Sequence, residues 1–122
     1  MTAIGLDETG HYSSAYDMAL LGRALLARPE LAAIVRTKEY QPAWDRPAFS
    51  NSNRLLFDYP DSIGIKIGFT DNAAQTIVAA AERGGRRVIV SLLGSSTVYQ
   101  DAIALLEWAF SDTSSACQGQ GG

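Results

Sequence analysis

A lysine lies inside an apolar run at Ile63-Gly64-Ile65-Lys66-Ile67-Gly68-Phe69. A strand lysine in such a setting either sits on a solvated edge or faces a site that handles anions. An ammonium suits the second task because it is a compact point charge with three donors and no acceptor. Gly68, two residues on, has no side chain, so a ligand could lie close against the backbone there. Other groups with chemical potential have plainer readings. His11 stands near several serines, but a single histidine in a polar loop reads as structural rather than as part of a Ser-His-Asp set. Asp17 follows Ser14 by three residues, the spacing of a helix cap. Asp7-Glu8 reads as solvated loop charge, and Trp44 and Trp108 read as packing residues rather than sugar platforms.

The elements that must position Lys66 follow from the pattern around it. Residues 1–13 read as irregular. A helix begins after Ser14, with Met18, Leu21 and Leu25 on one face to about residue 27. Pro29 suits the first turn of a second helix, Pro29 to about Val35. A short strand within 37–41, a return strand from Phe49 and a helical turn over 53–57 follow, around a proline-bearing loop at 42–47. Strands are predicted at about 63–69, 75–82 and 86–93. The Arg83-Gly84-Gly85-Arg86 sequence is a hairpin signal, since paired glycines accept positive φ in a two-residue turn. Val88 to Leu93 is apolar enough to be expected at the centre of the sheet. A helix over about 97–110 closes the fold, with Ala102, Ile103, Leu106, Ala109 and Phe110 on its apolar face. Helices, then an antiparallel meander, then a closing helix make the class α+β. Residues 111–122 are rich in serine, glutamine and glycine and read as a flexible tail.

Composition excludes several functions. The 122 residues hold 47% hydrophobic and 19% charged side chains, enough to bury one core. A net charge of −3, with Arg86-Arg87 as the sole adjacent basic pair, argues against nucleic-acid binding. The single cysteine, Cys117, excludes an internal disulfide and a multi-cysteine metal site. No metal or cofactor is expected, and Gly64 and Gly68 lack the companions of a phosphate loop. There is no run of about 18 apolar residues for a membrane span and no basic-then-apolar signal peptide.

Three blocks carry a resemblance across about 105 residues. The first is Ile4-Gly5-Leu6-Asp7, followed by His11 and the Ser14-Ala15-Tyr16-Asp17-Met18 helix start. The second is Asn53-Arg54-Leu55-Leu56 with Ile63 to Thr70 and Asp71-Asn72-Ala73-Ala74. The third is Gly84-Gly85-Arg86-Arg87-Val88 with Leu93-Gly94 and Leu105-Leu106-Glu107-Trp108. In order and spacing they resemble the later part of the transpeptidase-like domain of serine-type D-alanyl-D-alanine carboxypeptidases, the low-molecular-weight penicillin-binding proteins. The resemblance implies a β-lactamase/transpeptidase-like fold, with residues 1–110 as a partial catalytic domain. It also implies peptidoglycan stem peptides or β-lactams as ligands, work outside the cytoplasmic membrane, and an acyl-enzyme route. Lys66 then corresponds to the lysine of the family's Lys-Thr-Gly strand, with Gly68 and Thr70 as substrate-binding neighbours.

The resemblance also shows departures. Only Lys38 and Lys66 are present, with Val35 and Ile63 three residues before them, so no Ser-x-x-Lys nucleophile motif exists. Ser50-Asn51-Ser52-Asn53 never forms the family's Ser-x-Asn. In the family both motifs precede the Gly-Leu loop, so the chain is expected to begin after the catalytic half and to be inactive alone. Ile67 replaces the strand threonine, losing a hydroxyl and adding bulk in the groove. Val98 stands where an arginine is common. A missing half would leave one sheet face under-covered, a route to self-association. The competing expectation is a non-catalytic, degenerate peptidoglycan-binding or structural module.

Overall fold

The computed structural model describes residues 3–111; the predicted tail beyond Ser111, with Cys117, lies outside them. Helix α1 (Ala15–Leu26) starts where Ser14, in extended conformation, accepts a hydrogen bond from the Asp17 amide at 3.1 Å. Helix α2 (Pro29–Val35) begins on its proline, which fits the first turn because the missing N–H would be unpaired there anyway. Strands β1 (Glu39–Tyr40) and β2 (Phe49–Ser50) form a small antiparallel hairpin, and α3 (Leu55–Asp58) follows as one helical turn.

The main sheet is β3 (Ser62–Thr70), β4 (Ala74–Arg83) and β5 (Arg86–Ser95), all antiparallel in the order β3-β4-β5. Gly84 and Gly85 take φ of +59° and +79°, and so close the β4–β5 hairpin in the left-handed region. The central strand is therefore β4, not β5 as its apolar run suggested. Ala79, Ala80 and Ala81 of β4 are fully buried, whereas no residue of β5 is. Small side chains let helices approach both faces of the middle strand, and hydrophobicity alone does not mark that position.

Helix α4 (Val98–Ser111) covers one face, packing Val98, Ala102 and Leu106 on Ile77, Ala79 and Ala81, with Leu55 and Tyr59 of the α3 segment completing the cluster. The other face is covered by α1 and α2, where Leu26 joins Ile63, Ile65, Val78 and Ala80. Neither face is bare, so the expected uncovered sheet face is absent among the described residues, and with it that basis for self-association. Fully burying a leucine such as Leu106 or Leu55 contributes about 2 kcal/mol each. Trp44 and Trp108, expected to pack, are instead 63% and 62% exposed.

A charged network ties the far end of the sheet to α4. Arg83 donates from Nε to Asp61 at 2.9 Å, and from one terminal nitrogen to Glu107 at 2.7 Å and to the Tyr59 hydroxyl at 3.0 Å. The Tyr59 hydroxyl itself donates to Glu107. Its pKa is pushed up to about 12, first by burial and then by that hydrogen bond. The Glu107 carboxyl is held below the usual range by hydrogen bonds from Arg83 and then Tyr59.

A candidate substrate groove along strand β3

β3 forms an edge of the main sheet, so one side of its backbone has no strand partner among the described residues. Lys66 lies on this edge strand, exposed and opposite Val78 of β4. Its ammonium donates to the carbonyl oxygen of Ile67. Among the described residues no carboxylate forms an ion pair with it. Gly68 lies opposite Thr76, and a Cβ at Gly68 would come within 2.8 Å of the Thr76 hydroxyl. The missing side chain thus makes room for a neighbour on β4, whose hydroxyl donates back to the Gly68 carbonyl at 3.3 Å.

Thr70 ends the strand, and its hydroxyl is engaged twice. It donates to Asp7 Oδ1 at 2.9 Å and accepts from the Ala73 amide at 2.9 Å. The second oxygen of Asp7 accepts from the Asn72 carboxamide at 3.1 Å. Asp7 is therefore not merely solvated loop charge: it joins the N-terminal loop to the β3–β4 turn. Two of the resembling blocks, Gly5-Leu6-Asp7 and Thr70-Asp71-Asn72, are the ones that meet here. No periodicity relates residues so far apart, which is why their contact was missed.

The two departures lie in the core. Ile67 is half-buried, opposite Ile77, and packs against the α4-side cluster. The bulk expected in the groove is absorbed by the core instead. Val98 is 3% exposed within the same cluster, so its side chain fills core. His11 lies in the loop before α1, where its amide donates to the Glu8 carbonyl at 2.9 Å.

A family comparison decides the affiliation. The sequence pattern of the D-alanyl-D-alanine carboxypeptidase family matches residues 1–97. The chain belongs to the D-alanyl-D-alanine carboxypeptidase family. Within it, the chain is 40% identical over 114 residues to the D-alanyl-D-alanine carboxypeptidase DacA of Escherichia coli K12, covering 89% of this chain and 28% of that protein. It is 36% identical over 113 residues to DacF of Bacillus subtilis, covering 88% of this chain and 29% of the relative. The crystal structure of a D-alanyl-D-alanine carboxypeptidase from Mycobacterium tuberculosis superposes with a TM-score of 0.81 at 31% identity, over 91% of this chain and 46% of that one. The Streptomyces K15 DD-transpeptidase gives 0.82 at 26% identity, over 88% of this chain and 45% of that one. The chain thus spans less than half the length of these relatives. Its fold is that part of a transpeptidase-like domain that carries the three-stranded sheet and its covering helices.

Proposed function

We propose that this D-alanyl-D-alanine carboxypeptidase family chain supplies one wall of a peptidoglycan-binding groove, and that Lys66 receives the terminal carboxylate of a D-Ala-D-Ala stem peptide. The supporting observation is an exposed lysine on a strand with an unpaired edge, without a carboxylate partner among the described residues. An extended peptide adds to such an edge by backbone hydrogen bonding. The ammonium then exchanges the Ile67 carbonyl for a carboxylate, a stronger charge-assisted acceptor. Gly68 and Thr70 shape the end of that wall, and the work belongs outside the cytoplasmic membrane. Among the described residues no helix is long and apolar enough to cross a membrane.

The carboxypeptidase reaction in this reading passes through an acyl-enzyme on a serine, which needs a base to take its proton. Lys38 and Lys66 both lack a serine three residues before them. The 122 residues alone are therefore not acylated. Incubating the purified chain with a fluorescent penicillin should give no covalent label on a denaturing gel, and a labelled band would overturn that statement. Titration with N-acetyl-D-Ala-D-Ala, followed by NMR at the amides of residues 65–70, should show saturable shifts that Lys66→Gln weakens. A second reading, a non-catalytic module, is favoured by Ile67 and Val98, whose side chains serve the core. In its purely structural form it predicts no response to the dipeptide, and in its degenerate peptidoglycan-binding form it predicts binding that Lys66→Gln leaves unchanged.

A further inference from the structure

The β3–β4 turn is fastened from outside the sheet by a residue 63 positions away. Both Asp7 oxygens are used, Oδ1 by the Thr70 hydroxyl at 2.9 Å and Oδ2 by the Asn72 carboxamide at 3.1 Å. The Thr70 hydroxyl in turn accepts from the Ala73 amide at 2.9 Å. One carboxylate thus organises the last residue of β3, the turn and the residue before β4. Lys66 and Gly68 lie four and two residues earlier on β3.

We infer that Asp7 is a positioning residue for the groove: its carboxylate, acting through Thr70 and Asn72, fixes the C-terminal end of β3 and hence the backbone that a peptide must pair with beside Lys66. This rests on the reading of β3 as a peptide-binding edge. The chemistry favours a carboxylate in this role. An ionised carboxylate accepts on both oxygens, and each bond is strengthened by its charge. Asparagine presents one acceptor oxygen in place of two and carries no charge, so it cannot accept from both the Thr70 hydroxyl and the Asn72 carboxamide as the carboxylate does. Threonine at 70 matches the need for one group that both donates and accepts. A turn held at three points is ordered before ligand arrives, so binding does not have to order it.

The test uses the 122-residue chain and four variants: Asp7→Ala, Asp7→Asn, Thr70→Val and the conservative Thr70→Ser. Amide hydrogen exchange reports the fastening, and titration with N-acetyl-D-Ala-D-Ala reports its effect on the groove. In Asp7→Ala and Thr70→Val, the Ala73 amide should exchange about tenfold faster, as expected on losing hydrogen bonds that involve a charged group. Amides in the middle of β4 should keep their wild-type rates. Dipeptide affinity should fall about fivefold to tenfold in the same variants and in Asp7→Asn, while Thr70→Ser retains both properties. A purely structural role would change exchange and leave affinity alone, and that result overturns the inference. Unchanged Ala73 exchange, or faster exchange spread evenly over β4 and β5, also overturns it. If the wild-type chain gives no saturable response to the dipeptide, the groove reading itself fails and the positioning role falls with it. Binding by wild type that persists unchanged in Asp7→Ala removes the positioning role alone.

Discussion

Gly22 of α1 lies so close to Val78 of β4 that a methyl group at position 22 would come within 2.9 Å of Val78 Cγ1 and 3.0 Å of Ile65 Cδ1. The buried glycine sets how near α1 sits to the sheet. Alanine would gain about 1 kcal/mol of helix propensity over glycine. It would also push the helix off a close-packed strand, an overpacking cost of about 1–3 kcal/mol. Gly22→Ala should therefore lower stability, or at best leave it unchanged, although an isolated α1 peptide would become more helical. Urea denaturation of the chain and circular dichroism of the peptide check the two halves of this expectation.

At the start of β4, Ala74 adopts φ of +55°, the left-handed region that costs an L-residue about 1–2 kcal/mol. Glycine adopts this conformation without that penalty but makes the unfolded chain more flexible, offsetting part of the gain. Ala74→Gly should stabilise the chain by about 0.5–1 kcal/mol, and a raised urea midpoint would show it. An equal or lower midpoint would mean that the Asp7-held turn tolerates the strain at no net cost.

Local signals were legible in the sequence where a residue's own chemistry sets its backbone. Ser14, Pro29 and the Gly84-Gly85 pair marked a cap, a helix start and a hairpin, and all three are found in place. The α+β order followed from such signals taken together, while the family resemblance rested on three sequence blocks in order and spacing. What depends on distant partners was not legible. The apolar residues of β3 read only as strand, and the fold divides them: Ile63 and Ile65 join the α1 side, Ile67 joins the α4 side and Phe69 is 68% exposed. The register shift between Ser62 and Gly64 disturbs simple alternation at the start of the strand. Lys66 stood out in the sequence by its strand context and by the family resemblance around it, whereas Asp7 needed the fold to bring residues 7, 70 and 72 together.

The Tyr59–Arg83–Glu107 network should make stability depend on pH at both extremes. Glu107 has a lowered pKa in the folded state, so around pH 4 the unfolded chain binds more protons. Its contribution is complete above the ordinary glutamate value of about 4.3 and is lost as pH falls through the lower, folded value. The difference in thermal midpoint between wild type and Glu107→Gln should therefore be constant near neutrality and close on acidification. Tyr59 has the opposite sign. With its pKa raised from 10.0 to about 12, its contribution is complete below pH 10 and disappears as pH rises toward 12. The wild-type advantage over Tyr59→Phe should shrink across that alkaline window, and parallel melting curves at all pH values would contradict both assignments.

Ile67 and Val98 invite reversion to the residues the family resemblance places there, and the core opposes both changes. Ile67 lies opposite Ile77 and packs against the α4-side cluster, so Ile67→Thr removes apolar contact and brings a hydroxyl to a half-buried position. The expected loss is about 1 kcal/mol, a fraction of a full large-to-small core substitution. Val98 is 3% exposed, and its amide donates to the Gln75 carboxamide oxygen at 3.4 Å. Val98→Arg must either bury a guanidinium without a counter-ion or swing it outward and leave a gap against Ala102 and Leu106. Either outcome should cost about 3 kcal/mol or more. Dipeptide affinity distinguishes a core role from a groove role at these positions. If the side chains serve the core, neither variant binds N-acetyl-D-Ala-D-Ala more tightly than wild type. If Ile67→Thr instead gains affinity while losing stability, its new hydroxyl has reached the β3 edge, and position 67 belongs to both the core and the groove.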